Sequence, residues 1–282
     1  MLLTITARRL VAVVAALVAG IALMLGPAAT NSQAQERNAV IFGDSVIANP
    51  TVPEYLAGGI GNGQLGSSGN PHRGCPQGQF TWGRAATAKL GLAVRDYSCS
   101  GAVSISAGPQ VSAQVDRALS TGGLNPGTQR VIISTGFNDT YNNRHLNDAQ
   151  LNATFVGAMA PQIQRIRNAA PNARIQIVGY PALTQGDFVC LFHVGPEISD
   201  TTFFPDANRW QWQAQNMQRA LASATGVEFL DLKPSTAHNH MCAPDHQRMW
   251  AGIVDFYAGP GNLPLHVNHR GHEHVANVIA AS

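Results

Sequence analysis

Charge is what this 282-residue chain has least of. Asp, Glu, Lys and Arg make up only 12% of it, and 18 Lys+Arg stand against 16 Asp+Glu. Setting aside Arg8 and Arg9, at the extreme N-terminus, makes the two signs equal. Without a basic block or stripe there is no electrostatic footprint for nucleic acid. The chain has no C-x-x-C pair and no H-E-x-x-H, so the metal-site patterns with dependable spacing are missing. It has no G-x-S-x-G, which excludes a strand–elbow–helix nucleophile of that type. Beyond residue 34 there is no repeat, no linker-like shift in composition and no apolar run long enough to span a bilayer. One large α/β domain over residues 35–282 is therefore expected.

The one long apolar run lies at the start. Arg8 and Arg9 precede Leu10 to Leu25, and small and polar residues follow through Gln35. A charged segment, an apolar segment and a small-residue cleavage zone read as a secretory signal over residues 1–34, cut after Ala34. A retained membrane anchor is the alternative, because the run approaches spanning length. Either reading sends the chain out of the cytosol, to the extracellular space or the cell envelope. Four cysteines, Cys75, Cys99, Cys190 and Cys242, then imply two disulfides. Three connectivities are open. The sequential one, Cys75–Cys99 with Cys190–Cys242, would staple the two longest irregular stretches.

Val40-Ile41-Phe42 reads as a strand buried on both faces, since no polar residue alternates with the apolar ones. Gly43-Asp44-Ser45 stops it. From Val46 to Phe80 glycines are dense and periodicity is weak, which predicts a long irregular connection with a functional purpose. Trp82 to Leu90 predicts a helix and Ala93 to Tyr97 a second strand, ending at Cys99-Ser100-Gly101. Gln110 to Leu119 has helical spacing, and Arg130 to Thr135 is a third buried strand, stopped by Gly136-Phe137-Asn138-Asp139. A long helix opening at Asp148, a strand at Ile175–Gly179, a helix at Asn208–Ala224, a strand at Val227–Leu232 and a closing helix at Gly271–Ala281 complete the pattern. Strands alternating with helices imply βαβ units and a parallel sheet with helices on both faces.

In such a sheet the carboxyl ends of the strands converge on one edge. Ser45, Gly101 and Asn138 follow the first three strands, so they can meet although far apart in sequence. A serine hydroxyl, a glycine N–H and an asparagine amide are the parts acyl transfer needs, a nucleophile and donors for an oxyanion. Each has a plain structural alternative, as a helix cap or a turn, but the three together supply a reaction. The base is expected in Leu265-His266-Val267-Asn268-His269-Arg270-Gly271-His272, where His266 precedes the last helix and can reach back to Ser45.

With those residues in view, the chain resembles the SGNH hydrolases, the GDSL-type esterases and lipases. Four blocks match in order: Gly43-Asp44-Ser45, the Gly101 turn, Gly136-x-Asn138-Asp139, and His266-x-Asn268-x-x-Gly271-His272. The Cys99-Ser100-Gly101-Ala102 run and the paired cysteines resemble the secreted actinobacterial branch. The resemblance implies a flavodoxin-like three-layer α/β/α sandwich around five parallel strands. It implies Ser45 as nucleophile, His266 as general base, and an oxyanion hole of the Ser45 and Gly101 N–H groups with the Asn138 side chain. It implies no cofactor and an ester substrate (a lipid or an acylated carbohydrate); the chain is expected to be a monomer.

The chain also departs from that pattern. Val46 and Asn49 replace the Leu and Gly that often follow Gly-Asp-Ser, and Val267 replaces a Pro after the histidine. The Asp usually found three residues before the base is Leu263, so the group that orients His266 is either the Leu263 backbone carbonyl or Asp255. The histidine clusters around residues 238–246 and 266–274 fit no zinc spacing. Phe188, Leu191, Phe192, Phe203, Phe204 and Trp250 either line an acyl groove or pack the loops. The functional expectation is hydrolysis of carboxylic esters with short to medium acyl chains. A deacetylase or acyltransferase on polysaccharide or glycolipid, and a silent binding protein of the same fold, are the alternatives.

Overall fold

The computed structural model describes residues 36–59, 75–261 and 263–282, and residues Glu36–Ser282 form one compact unit. The signal segment expected over 1–34 and the middle of the Gly-rich stretch, 60–74, lie outside the described residues. Five strands make the central sheet: β1 (Asn38–Gly43), β2 (Ala93–Asp96), β3 (Thr128–Ser134), β4 (Arg174–Val178) and β9 (Glu228–Leu230). Their order is β2-β1-β3-β4-β9 and every pairing is parallel. β1 is buried at all its positions, as its unalternated apolar run requires.

Nine helices connect and cover the strands among the described residues: α1 (Ser45–Ala48), α2 (Val52–Gly59), α3 (Trp82–Lys89), α4 (Val111–Ser120), α5 (Phe137–Asn142), α6 (Asp148–Ala169), α7 (Pro205–Thr225), α8 (Lys233–Thr236) and α9 (His269–Ala281). α3 packs on α9, while α6 packs on both α4 and α7, which gives the helix layers of an α/β/α sandwich. α6 begins at a capping box between Asn147 and Gln150, and turns Leu151, Phe155, Met159, Ile163 and Ile166 into the core.

The structure corrects the reading of Val46–Phe80 as irregular throughout, because α1 and α2 lie within it. The missed signal for α2 is Thr51-x-x-Glu54. The Thr51 N–H donates to Glu54 Oε2 at 2.7 Å and the Glu54 N–H to Thr51 Oγ1 at 3.3 Å. That reciprocal cap starts a helix with little periodicity of its own.

After β4 the chain makes an excursion of short strands. β5 (Phe188–Val189) pairs with β8 (Thr202–Phe203), while β6 (Phe192–Gly195) pairs with β7 (Ile198–Ser199) and with β10 (Val254–Asp255). The disulfide Cys190–Cys242 staples this excursion to the segment after α8, and Cys75–Cys99 staples the turn after β2.

Candidate active site

The turn after β1 is held from four sides. Gly43 has φ +149°, and a Cβ there would stand 2.0 Å from the Ser134 carbonyl oxygen, so the close approach of β1 to β3 needs glycine. The buried Gln114 side chain bonds the Gly43 N–H and carbonyl, each at 2.9 Å. Asp44 caps α1 by accepting from the Val46 N–H at 3.0 Å, and its other oxygen accepts from the Tyr180 hydroxyl at 2.5 Å. Tyr180 in turn accepts from the Phe137 N–H at 3.3 Å. One phenol therefore joins the turn carrying Ser45 to the helix carrying Asn138. Burial pushes the Asp44 carboxyl up to about 7 against the lowering effect of these hydrogen bonds, and pushes Tyr180 well above its ordinary value.

Ser45 is the first residue of α1, where a backbone N–H has no intrahelical acceptor. Its hydroxyl meets His266 Nε2 at 2.8 Å, a contact spanning 221 positions of sequence. Asn138 stands one residue into α5, behind Gly136, whose φ is +117°. Its Nδ2 donates to the Ala102 carbonyl at 2.8 Å, and its Oδ1 accepts from the Tyr141 hydroxyl at 2.7 Å. A primary amide has two hydrogens, so one donor remains beyond the Ala102 bond. Asp139, buried beside it, accepts from the Ser104 and Ile105 N–H groups and the Ser106 hydroxyl. Those bonds anchor the chain just after Gly101, which occupies an exposed turn with φ +77°.

His266 Nδ1 lies 2.9 Å from the Pro264 carbonyl. This corrects both expectations for its orienting group. The carbonyl is Pro264's rather than that of Leu263, one residue earlier, because Leu265 has φ +63° and turns the chain between Pro264 and His266. Asp255 is engaged elsewhere: it takes two hydrogen bonds from the Arg248 guanidinium, one from the Gly252 N–H at 2.8 Å and one from the Tyr257 N–H at 2.9 Å. Burial would raise Asp255, yet these donors hold it below the ordinary carboxylate value. Burial lowers His266, outweighing the raising effect of the Pro264 bond, so the imidazole is neutral at neutral pH.

The remaining matched residues hold the loop. Asn268 caps α9 through the Gly271 N–H at 3.0 Å and donates to the Arg248 carbonyl at 2.9 Å. A Cβ on Gly271 would fall 2.5 Å from Val267 Cγ1. His272, fully buried, accepts from the Trp82 N–H at 3.0 Å, and burial takes it down to about 3. No group of three His, Cys, Asp or Glu among the described residues is placed to hold a metal.

Ser45, Asn138 and His266 open into a cavity of about 260 Å³ with mainly apolar walls. Of the side chains expected around a groove, Leu191, Phe204 and Trp250 line it and Phe188, Phe192 and Phe203 do not. Tyr141 and Trp210, which sequence reasoning missed, complete the aromatic wall. A larger polar cavity, about 600 Å³, lies beside β2 among Arg84, Asp96 and Arg117, and contains none of the site residues.

A family model, the GDSL-like Lipase/Acylhydrolase family, matches residues 41–274. Among solved structures, the fold is similar to phospholipase A1 from Streptomyces albidoflavus NA297, at TM-score 0.55 and 17% identity, over 87% of this chain and 99% of that one. It is similar to an extracellular lipase from Streptomyces rimosus, at TM-score 0.54 and 16% identity, over 86% and 98%. It is also similar to Est24, a carbohydrate acetylesterase from Sinorhizobium meliloti, at TM-score 0.51 and 17% identity, over 87% and 97%. No curated protein sequence matches the chain. The model match runs from β1 into α9 and takes in Ser45, Asn138 and His266, so this chain belongs to the GDSL-like lipase/acylhydrolase family of hydrolases.

Proposed function

We propose that the chain is an exported, monomeric serine ester hydrolase, a single domain over residues 35–282, acting on carboxylic esters of short to medium acyl length. The observation that carries this reading is the 2.8 Å contact between Ser45 Oγ and His266 Nε2 at the mouth of an apolar cavity. The export signal expected from the sequence and the two disulfides support an extracellular setting.

Because Nδ1–H is engaged by the Pro264 carbonyl, Nε2 carries the lone pair that faces Ser45. As Ser45 Oγ bonds to the ester carbonyl carbon, Nε2 takes the hydroxyl proton. The carbonyl oxygen becomes an oxyanion, facing the Ser45 and Gly101 N–H groups and the free hydrogen of Asn138 Nδ2. Collapse breaks the bond to the alkoxy oxygen, and His266 returns its proton to the departing alcohol. Water then enters by the same route and its oxygen bonds to the acyl carbon as His266 takes its proton. The acyl–Oγ bond breaks, His266 returns the proton to Ser45 Oγ, and the acid leaves. The imidazolium formed in each half is met by a neutral carbonyl rather than a carboxylate, so the pair works as a dyad.

Hydrolysis of p-nitrophenyl esters from acetate to palmitate, by the chain and by its Ser45→Ala variant, tests this. Turnover that declines from medium to long chains and vanishes with Ser45→Ala is the expected result. A folded protein with no turnover on any member sinks the reading.

A further inference from the structure

The small sheet β10-β6-β7 is built inside out. β10 pairs in parallel with β6, Val254 opposite Phe192 and Asp255 opposite His193. Alternation therefore sends Phe192, Val194, Val254 and Phe256 to one face, and His193 and Asp255 to the other. The apolar set is the exposed one, with Val194 at 55% and Phe256 at 73%, whereas His193 is 2% exposed. Beneath lies a charged layer in which buried Arg248 grips Asp255 with two nitrogens, Asp245 with a third and the Trp250 carbonyl besides. Breaking such a buried pair is costly, so the layer holds the apolar face outward. A cluster of exposed large apolar side chains on a rigid support marks an interaction surface.

The surface joins the cavity. Leu191 lines the cavity and precedes Phe192, and its carbonyl accepts from the Ile253 N–H at 2.7 Å. Leu265, at the rim beside His266, donates its N–H to the Gly252 carbonyl at 3.1 Å. The charge beside the face is one-sided. Residues 187–208 carry Asp187, Glu197, Asp200 and Asp206 and no Lys or Arg, and the only charged residue of 249–261, Asp255, is turned inward and neutralised by Arg248. Arg209, just beyond, is paired with Asp206. An apolar face whose neighbouring segment carries carboxylates and no unpaired cation disfavours anionic lipid and suits headgroups whose outermost charge is an ammonium.

We propose that this face docks the protein on a zwitterionic phospholipid surface and presents the cavity to an ester held there. The proposal rests on the ester-hydrolase reading and extends it from dissolved esters to aggregated ones.

The test is flotation of the Ser45→Ala chain with phosphatidylcholine vesicles, with and without Phe192→Ser/Val254→Ser/Phe256→Ser. The parent should float, and the triple change should weaken binding at least tenfold. In the Ser45-intact background the same change should leave p-nitrophenyl acetate turnover unaltered, which checks folding. If the triple variant fails that check, Phe256→Ser alone, at the most exposed position, should still weaken flotation several-fold. Absent flotation, equal flotation of the variants, or binding only to vesicles containing phosphatidylglycerol would overturn the proposal. So would a dimer in light scattering that the triple change turns into a monomer, because the face would then belong to a second copy. Since flotation is read without turnover, its failure and the failure of the hydrolase reading are separate results.

Discussion

Ser45 and His266 meet at 2.8 Å, but they arrive there by opposite means. Ser45 stands just beyond β1, an interior strand, where parallel pairing on both sides, the Gln114 bridge and the Tyr180 phenol leave the turn no freedom. His266 stands on a loop between β10 and α9, held by a buried ion cluster below it and a helix cap behind it. The sheet places the proposed nucleophile, and polar side chains place the proposed base. The two halves should therefore fail differently when cut.

The largest effect should come from the base itself. His266→Ala is expected to lower kcat on the order of 10⁴-fold, with near-wild-type stability, because only the proton acceptor is lost. Steady-state kinetics beside a denaturant melt would show it, and a loss below a hundredfold would place the base elsewhere.

Asp255→Asn separates holding the loop from orienting the imidazole. Buried Arg248 would lose one of its two carboxylate partners, so a stability loss of roughly 3 kcal/mol is expected from the denaturant midpoint. The kcat of the folded fraction should fall less than tenfold. A drop near the 10⁴-fold seen when a triad acid becomes an amide would restore Asp255 as the third catalytic group.

Tyr180→Phe probes the nucleophile's side. It removes the donor to Asp44, which is buried, and the acceptor for the partly buried Phe137 N–H. We expect kcat to fall about tenfold with KM nearly unchanged, since the phenol positions Ser45 and Asn138 without lining the cavity. A change confined to KM would contradict that role.

The smallest effect is a pH limb. His266 must be neutral to accept the Ser45 proton, and burial lowers its pKa from the ordinary 6.5. kcat/KM should therefore rise with pH along an acid limb centred below 6.5 and stay level through neutrality. A limb centred above 6.5 would mean that a carboxylate faces the ring.

The nucleophile's half was the more legible in sequence for the same reason that it is the more rigid. An unalternated Val40-Ile41-Phe42 run ended by Gly43-Asp44-Ser45 announces both the strand and its stop, and Asn138 follows β3 in the same manner. The base's half was legible only as chemistry. His266 and Asn268 stood out as residue types, but which carbonyl meets Nδ1 depends on a positive φ at Leu265 that a leucine does not advertise. Tyr180 and Trp210 carry no local signal, because a phenol or an indole becomes part of a site only through what the fold lays beside it. The inside-out face escaped notice because Phe192, Val194, Val254 and Phe256 look like core residues until the buried Arg248 is seen on their other side.

By itself the sequence determined the parallel sheet, the chain order in which Ser45, Gly101, Asn138 and His266 follow or precede their elements, and the presence of four pairable cysteines, since all of these follow from local pattern and residue chemistry. Tertiary structure alone decided which cysteines pair, which carbonyl orients His266, why Asp255 serves Arg248 instead, and which aromatics face the cavity rather than solvent. The disulfides join residues 24 and 52 positions apart, so their pairing and the cavity lining are set by packing across the molecule. The Pro264 and Arg248 contacts are short in sequence, but the left-handed turn at Leu265 and the burial of Arg248 that create them are imposed by the fold around them.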